Sequence, residues 1–600
     1  MAKTVHEFFK AAVAKRRHNV AAQYKVAGTW RDVTWAELDT LSNQVSAALV
    51  HHGVQPREHV CILSHTVLEW IIADVGIMGA GASTIPIYQS SVADEVQYIL
   101  HDSSSVLVFA QDREQLDKLR GIRDQIPSVR KVVCFDAEAV DLTSPWELSW
   151  QQFLEDGAAF LRDDDAAVSA RSDVLGPDDT LTIIYTSGTT GRPKGAVLTH
   201  DSMIAEADAL ESLGIVTPED VQYLFLPMAH VFAKAIEVLW FRTAHIMAFW
   251  EGDQAKIIDN LAEVRPTMMA SVPRIFEKVH AKVTGDMKNG AGLAGVLGRW
   301  ALAQAEAAAA LEQQGKAAAG LSWSLAKWLV FSKVEQKLKE RFGGRLRFFI
   351  SGGAPLSRDI AYFFQYAGVS ICEGYGLTET SAGATINRPG DVNIGTVGTP
   401  LPGVEVKIAP DGEILMRGRI IMRGYWNKPD ATREAIDEDG WFHSGDIGVI
   451  DEQGRLRITD RKKDLIITAG GKNVAPQNLE NGLKSKSPLI SQVVVHGDQR
   501  KYLTALVTID VDNAKGWATK EGIPGFDYAA VSQHPKMREE IQAVVADFNK
   551  GLASYETLKK VHILDHDFEI GDQLTPTMKV KRKHCNERYK TVFESLYGDG

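Results

Sequence analysis

The stretch Tyr185-Thr-Ser-Gly-Thr-Thr-Gly-Arg-Pro-Lys-Gly195 constrains this chain more than any other. It joins two apolar, β-prone runs, Leu181-Thr-Ile-Ile-Tyr185 and Ala196-Val-Leu-Thr199. The pattern predicts a strand, a tight loop and a second strand. Between them stand four hydroxyls (Thr186, Ser187, Thr189, Thr190), the glycines Gly188, Gly191 and Gly195, and Lys194. Glycines let backbone N–H groups turn toward an anion, hydroxyls donate further hydrogen bonds, and the lysine adds charge. The stretch reads as a phosphate cradle. Its spacing is not the G-x-x-x-x-G-K-[ST] of a P-loop.

An anion held there must be met locally, because Lys plus Arg number 66 against 77 for Asp plus Glu, a net charge of -11. That balance excludes a role in coating nucleic acid. At 600 residues, 45% of them hydrophobic and 24% charged, the chain should divide into several globular units. Cys61, Cys134, Cys372 and Cys585 lie far apart without metal-ligand spacing, which suits buried thiols in a reducing compartment. Met1 to Arg17 has no signal-peptide pattern. The longest apolar stretch, Trp70 to Tyr88, contains Asp74 and three glycines and reads as a buried helix and strand. A cytoplasmic protein is the expectation.

Along the chain, Val60–Leu63 reads as a strand, Val67–Met78 as an amphipathic helix and Ser83–Tyr88 as a strand; Val106–Phe109 and Lys131–Phe135 continue the series. A parallel, helix-covered sheet follows. The acidic stretch Asp163–Asp179 reads as a surface linker, and Tyr223–His230 as a strand with a polar tip at His230, structural or functional. Ala301–Ala319 is alanine-rich and helical. In Leu321–Phe342, Leu325, Trp328, Leu329, Phe331, Val334 and Leu338 recur at nearly helical spacing, with Lys327, Lys333, Lys337 and Lys339 between them. Two readings stand: a helix docked on the core, or a basic amphipathic surface meeting anionic lipid.

Farther on, Ile371-Cys-Glu-Gly-Tyr-Gly-Leu-Thr-Glu-Thr380 sets Tyr375 between two glycines, with Thr378 and Glu379 suited to phosphate and Mg²⁺. Gly440–Asp446 presents a carboxylate at a turn, apt for ribose hydroxyls. Charged residues at Asp460–Leu465 suggest a joint before a second, small domain that closes with Leu574-Thr-Pro-Thr-Met-Lys-Val-Lys-Arg-Lys583.

These motifs, in this order, make the chain resemble the adenylate-forming (ANL) superfamily, from its first strands to near its C-terminus. Within it the chain most resembles the long-chain fatty-acid–CoA ligases, on Ser271-Val-Pro-Arg-Ile-Phe-Glu-Lys278 and the helical insert before Ser351-Gly-Gly353. The resemblance implies an α/β fold. A large N-terminal domain of helix-covered β-sheets (1–459, insert 289–342) would be followed by a hinge (460–465) and a small mobile C-terminal α+β domain (466–600). It implies ATP-dependent activation of a long-chain fatty acid to acyl-CoA through acyl-AMP, with AMP and pyrophosphate released. The alternative is a fatty-acyl-AMP ligase delivering acyl groups to a carrier protein.

By resemblance, Thr186 and Glu379 hold Mg²⁺, and Thr186, Ser187, Gly188, Thr189, Thr190, Gly191 and Lys194 embrace the phosphates. Gly352, Gly353 and Tyr375 frame the adenine, Gly376 belongs to the same nucleotide site, and Asp446 and Arg461 meet the ribose. Thr378 touches the α-phosphate, and Lys579 bridges it to the acyl carboxylate. His230 and Gly470, Gly471 and Lys472 line the acyl and CoA channel. ATP, Mg²⁺, CoA and a fatty acid are the implied ligands, with peripheral contact at the inner face of the membrane. Two departures stand out. Some long-chain ligases carry a gating tryptophan where this chain has Lys234, and much of the superfamily has glycine where Met578 precedes Lys579, with Lys581 close by.

Overall fold

The computed structural model describes residues 2–186, 192–575 and 578–598. His59–Leu63 pairs in parallel with Ser83–Ile87 on one side and Leu107–Ala110 on the other. Both of the first two strands are buried throughout, as strands covered on two faces must be. The phosphate-loop hairpin, Thr180–Thr186 against Lys194–Thr199, joins beside Ser83–Ile87, and Gly424–Tyr425 pairs with its outer strand. Eight described strands make this sheet.

A second sheet of nine described strands contains the parallel set Val221–Leu224, Met268–Ser271, Phe348–Ser351 and Ile371–Tyr375. Val20–Val26, from the start of the chain, enters it in parallel beside Ile246–Phe249. One hydrophobic core draws residues from both sheets and from the helices Val5–Arg16, Trp35–His51, Leu68–Gly79, His200–Ser212 and Val231–Thr243. Sequence supports these helices locally: Thr34 and Glu37 form a reciprocal capping box on Trp35–His51.

Several expectations are corrected here. Leu68–Gly79 is not amphipathic: every residue but Glu69 is buried, because helices cover it on one side and the sheet on the other. The stretch read as a linker holds a helix, Ala166–Asp173, with Val168 buried. The strand read through His230 ends at Leu224, and His230 caps the helix Val231–Thr243 instead. The alanine-rich helix spans Gly292–Gln313 and stops before Ala319. Leu321–Phe342 forms Leu321–Ala326, one π-helical turn at Lys327–Phe331, and Ser332–Arg341. Trp323, Ala326, Phe331, Val334 and Leu338 dock on the core, whereas Leu325, Trp328 and Leu329 face solvent.

An antiparallel four-stranded sheet, Glu405–Ile408, Glu413–Arg417, Phe442–Ile450 and Leu456–Arg461, ends the larger body. Beyond it, Ile490–His496, Leu503–Ile509 and Leu558–Ile563 form a separate sheet with its own core. Ion pairs cross between the two bodies: Arg274 meets Asp510 at 3.1 Å and Lys486 meets Asp359 at 4.0 Å. The four cysteines are free and buried. Among the described residues, no helix is long and apolar enough to cross a membrane.

Candidate active site

Several motif residues come together: Tyr375, Asp446 and Arg461 touch one another, and Lys579 lies within electrostatic reach of Arg461, Asp446 and Glu379. Tyr375 ends its strand with the phenol donating to Asp446 Oδ2 at 2.6 Å. On the neighbouring antiparallel strand, Arg461 lies directly opposite Asp446, its Nε 3.2 Å from Oδ1. Burial raises the Asp446 carboxyl above its usual value, and the Arg461 charge works against that rise. Burial and the Asp446 charge raise the Tyr375 phenol, so it remains a donor.

Glycines close this wall for a steric reason. A Cβ at Gly376 would collide with the Ala382 carbonyl oxygen, and one at Gly352 would lie 3.3 Å from the Phe232 ring. Gly353 has φ +80°, the left-handed region that a glycine enters without cost. Thr378 opens a single helical turn, Thr378–Thr380, which turns the following backbone left-handed at Ser381 and Ala382 (φ 55° and 107°). Glu379 on that turn accepts 2.7 Å from the Tyr425 phenol through Oε1. Oε2 has no partner among the described residues.

Lys579 belongs to the small body. Its side chain is exposed yet flanked by protein, and that surrounding lowers its ammonium to a pKa of about 8, with Arg461 adding to the fall and Asp446 and Glu379 opposing it. Its backbone N–H donates to Thr575 Oγ1 at 3.0 Å. Met578 before it has φ 62°, the left-handed backbone that favours glycine. Lys581 points elsewhere, its Nζ donating to the Gly571 carbonyl at 3.0 Å.

His230 lies within electrostatic reach of Lys579. Its Nδ1 accepts from the Phe232 N–H at 3.1 Å, and burial, followed by the Lys579 charge, lowers its pKa to about 3. It is therefore a neutral cap at neutral pH. Thr186 and Lys194 face each other across the hairpin. Ser187, Gly188, Thr189, Thr190 and Gly191 lie outside the described residues.

Gly470, Gly471 and Lys472 are not brought to this cluster. They sit exposed on the small body, where Lys472 lies 5.9 Å over the Tyr555 ring and Ala469 donates to the Arg500 carbonyl at 2.9 Å. Lys234 is not an open gate either. Its ammonium is 2.5 Å from Asp74 and 2.8 Å from Glu237, all three being buried. Tyr425, which contacts Glu379, was not anticipated from sequence, because nothing local marks a tyrosine that meets a carboxylate 46 positions away.

Known families account for this arrangement. The model of the AMP-binding enzymes matches residues 9–426, and that of the AMP-binding enzyme C-terminal domain matches 463–600. The chain belongs to the AMP-binding enzymes. It is 39% identical over 96% of its length to the long-chain-fatty-acid–CoA ligase FadD15 of Mycobacterium bovis, covering 94% of that protein. To the peroxisomal long chain acyl-CoA synthetase 6 of Arabidopsis thaliana it is 34% identical, over 99% of this chain and 86% of the other. Its fold matches the adenylation domain of a carboxylate reductase from Mycobacterium chelonae, with a TM-score of 0.76 at 21% identity over 99% and 91% of the two chains. ATP-bound MatB from Rhodopseudomonas palustris matches with a TM-score of 0.70 at 25% identity, over 98% and 100%. An ATP-using α/β enzyme with a large N-terminal and a small C-terminal domain is the common result.

Proposed function

We propose that this chain is a long-chain fatty-acid–CoA ligase working through an acyl-adenylate. The observation that carries the reading is Lys579, supplied by the small body and held within electrostatic reach of Asp446 and Glu379. In this reading the fatty carboxylate attacks the α-phosphate of ATP, forming acyl-AMP as pyrophosphate leaves. The CoA thiol then attacks the acyl carbon, and AMP departs.

The first step brings one anion onto another, so neutralising charge is its main requirement. In this reading the Lys579 ammonium bridges the carboxylate and the α-phosphate, and Thr378 offers a hydroxyl to the same phosphate. Asp446, held by Tyr375 and Arg461, accepts from the ribose hydroxyls. Gly352 and Gly353 border the adenine beside Tyr375, Gly376 lets the chain pass close against Ala382 next to it, and Lys194 with the phosphate loop receives the departing pyrophosphate. Thr186 and Glu379 present hard oxygen donors of the kind Mg²⁺ takes, and the ion would offset charge on those phosphates. For the second step we place the turn at Asp460–Leu465, where the larger body's last strand gives way to the small domain. Rotation there would withdraw Lys579 and bring Gly470–Lys472 toward the thiol.

The acyl partner in this reading is long and apolar. Each buried CH₂ is worth about 0.8 kcal/mol, so kcat/KM should rise steeply from acetate to palmitate. The substrate dissolves in membranes, and a peripheral membrane contact is assigned to the face bearing Leu321, Leu325, Trp328 and Leu329, with Lys327 and Lys333 alongside. Pyrophosphate release, measured with and without CoA, tests the whole reading. Release that needs a fatty acid, with CoA converted to acyl-CoA, supports it. Equal turnover of acetate and palmitate, or acyl-AMP that CoA does not discharge, defeats it.

A further inference from the structure

Tyr425 touches both sides of the phosphate site at once. Its phenol donates to Glu379 Oε1 at 2.7 Å, while Lys194 Nζ stands 4.9 Å from the centre of its ring. The backbone fixes it in that place. Gly424–Tyr425 pairs with Val197 and Ala196, on the strand that Lys194 begins. Trp426 N–H donates to the Gly195 carbonyl at 2.7 Å, Met422 N–H to the Glu379 carbonyl at 2.8 Å, and Tyr425 N–H to Thr432 Oγ1 at 2.9 Å. The short strand is thus tied to the lysine's segment and to the carboxylate's segment alike.

Lys194 and Glu379 carry opposite charges, and a direct pair between them would leave each less available to a ligand. They make no such pair; Tyr425 stands between them. The electron-rich ring face takes the cation and the phenol takes the anion, so both are held and both remain open. Burial, reinforced by the Glu379 charge, raises the phenol's pKa, so it remains a donor throughout the physiological range.

We infer that Tyr425 is a positioning residue that keeps the phosphate-side lysine and the metal-side carboxylate apart and aimed. The ring orients Lys194 toward the departing phosphates, and the phenol fixes one oxygen of Glu379 so that the other faces the metal. This inference rests on the ligase reading above.

Isothermal titration of the full chain with α,β-methylene-ATP, in Mg²⁺ and separately in EDTA, separates the two contacts. Tyr425→Phe keeps the ring and removes the donor, so affinity in Mg²⁺ should fall about tenfold, the scale of one hydrogen bond to a charged group. In EDTA it should be unchanged. Tyr425→Leu should weaken binding in both conditions, and AMP, which lacks the outer phosphates, should bind both variants as it binds the wild type. A Phe variant with wild-type affinity in Mg²⁺ overturns the inference, as does an equal loss for AMP, which would mark Tyr425 as mere packing. Wild-type protein that binds neither nucleotide sinks the ligase reading and the inference together; normal wild-type binding confines any failure to Tyr425.

Discussion

Tyr375 and Asp446, 71 positions apart in sequence, share a 2.6 Å hydrogen bond that joins the end of a parallel strand to the antiparallel sheet of Phe442–Ile450. The phenol gives a buried carboxylate a donor that a bare pocket would deny it, and Arg461 supplies the second at 3.2 Å.

Removing that donor should affect nucleotide affinity before anything else. Tyr375→Phe leaves Asp446 with Arg461 alone, and a hydrogen bond to a charged group is worth about 1.5–3 kcal/mol. The KM for ATP should rise at least about tenfold, accompanied by a modest fall in melting temperature, because Asp446 stays buried with one donor fewer. Steady-state pyrophosphate release over an ATP series is the check, and an unchanged KM would detach the pair from the ribose.

The Lys234, Asp74 and Glu237 cluster makes a stability prediction instead. Lys234→Met leaves two carboxylates buried without a counter-charge and should cost about 3–5 kcal/mol. Replacing all three with apolar residues of similar size should restore most of it. Burial, with Asp74 adding to it, raises the Glu237 carboxyl well above its usual 4.5. The folded state therefore binds a proton that the unfolded chain gives up above about that pH. This group's contribution is largest at acid pH and is lost as pH rises through the folded pKa. Melting temperatures between pH 5 and 9 should show that decline, and the Glu237→Gln variant should lack it.

Much of this architecture was legible because buried parallel strands leave unbroken apolar runs, as at His59–Leu63 and Ser83–Ile87. Tyr375 and Asp446 stood out in the sequence because glycines flank them, whereas Arg461 was singled out only through the family resemblance. What failed needed three dimensions. Leu68–Gly79 lies between other helices and a sheet, and no residue in it announces that its outer face is covered too. At Leu321–Phe342 the spacing misled. The π-helical turn puts Ala326 and Phe331, five residues apart, on one buried face and turns Trp328 outward, so a uniform helical period names the wrong residues as core.

That displaced face has a measurable consequence. Trp328 is 71% exposed and Leu321 86%, beside lysines. With liposomes containing anionic lipid, the protein should co-float, and Trp328→Ala together with Lys327→Glu and Lys333→Glu should abolish flotation while leaving soluble turnover intact. Trp323→Ala, by contrast, removes a buried ring and should lower the melting temperature. Flotation that survives the triple change would assign membrane contact to another surface.

The last prediction concerns Lys579. Its ammonium is useful only while charged, and the protein around it lowers its pKa to about 8. Acyl-adenylate formation, followed as pyrophosphate release from ATP and fatty acid, should therefore decline as pH rises through about 8, because the charge on which the step relies is being lost. Lys579→Arg keeps its charge above that pH and should flatten the decline, even if its maximum is lower. Lys579→Ala should lose about 10²–10³ in rate, the usual effect of deleting one preorganised group that favours the transition state. Given preformed acyl-AMP and CoA, the same variant should form acyl-CoA at nearly the wild-type rate, since the lysine serves only the first step. Lys581 is engaged with the Gly571 carbonyl, so Lys581→Ala should leave both steps close to normal. Equal slowing of both half-reactions by Lys579→Ala, or a block of the first by Lys581→Ala alone, would move the catalytic role away from Lys579.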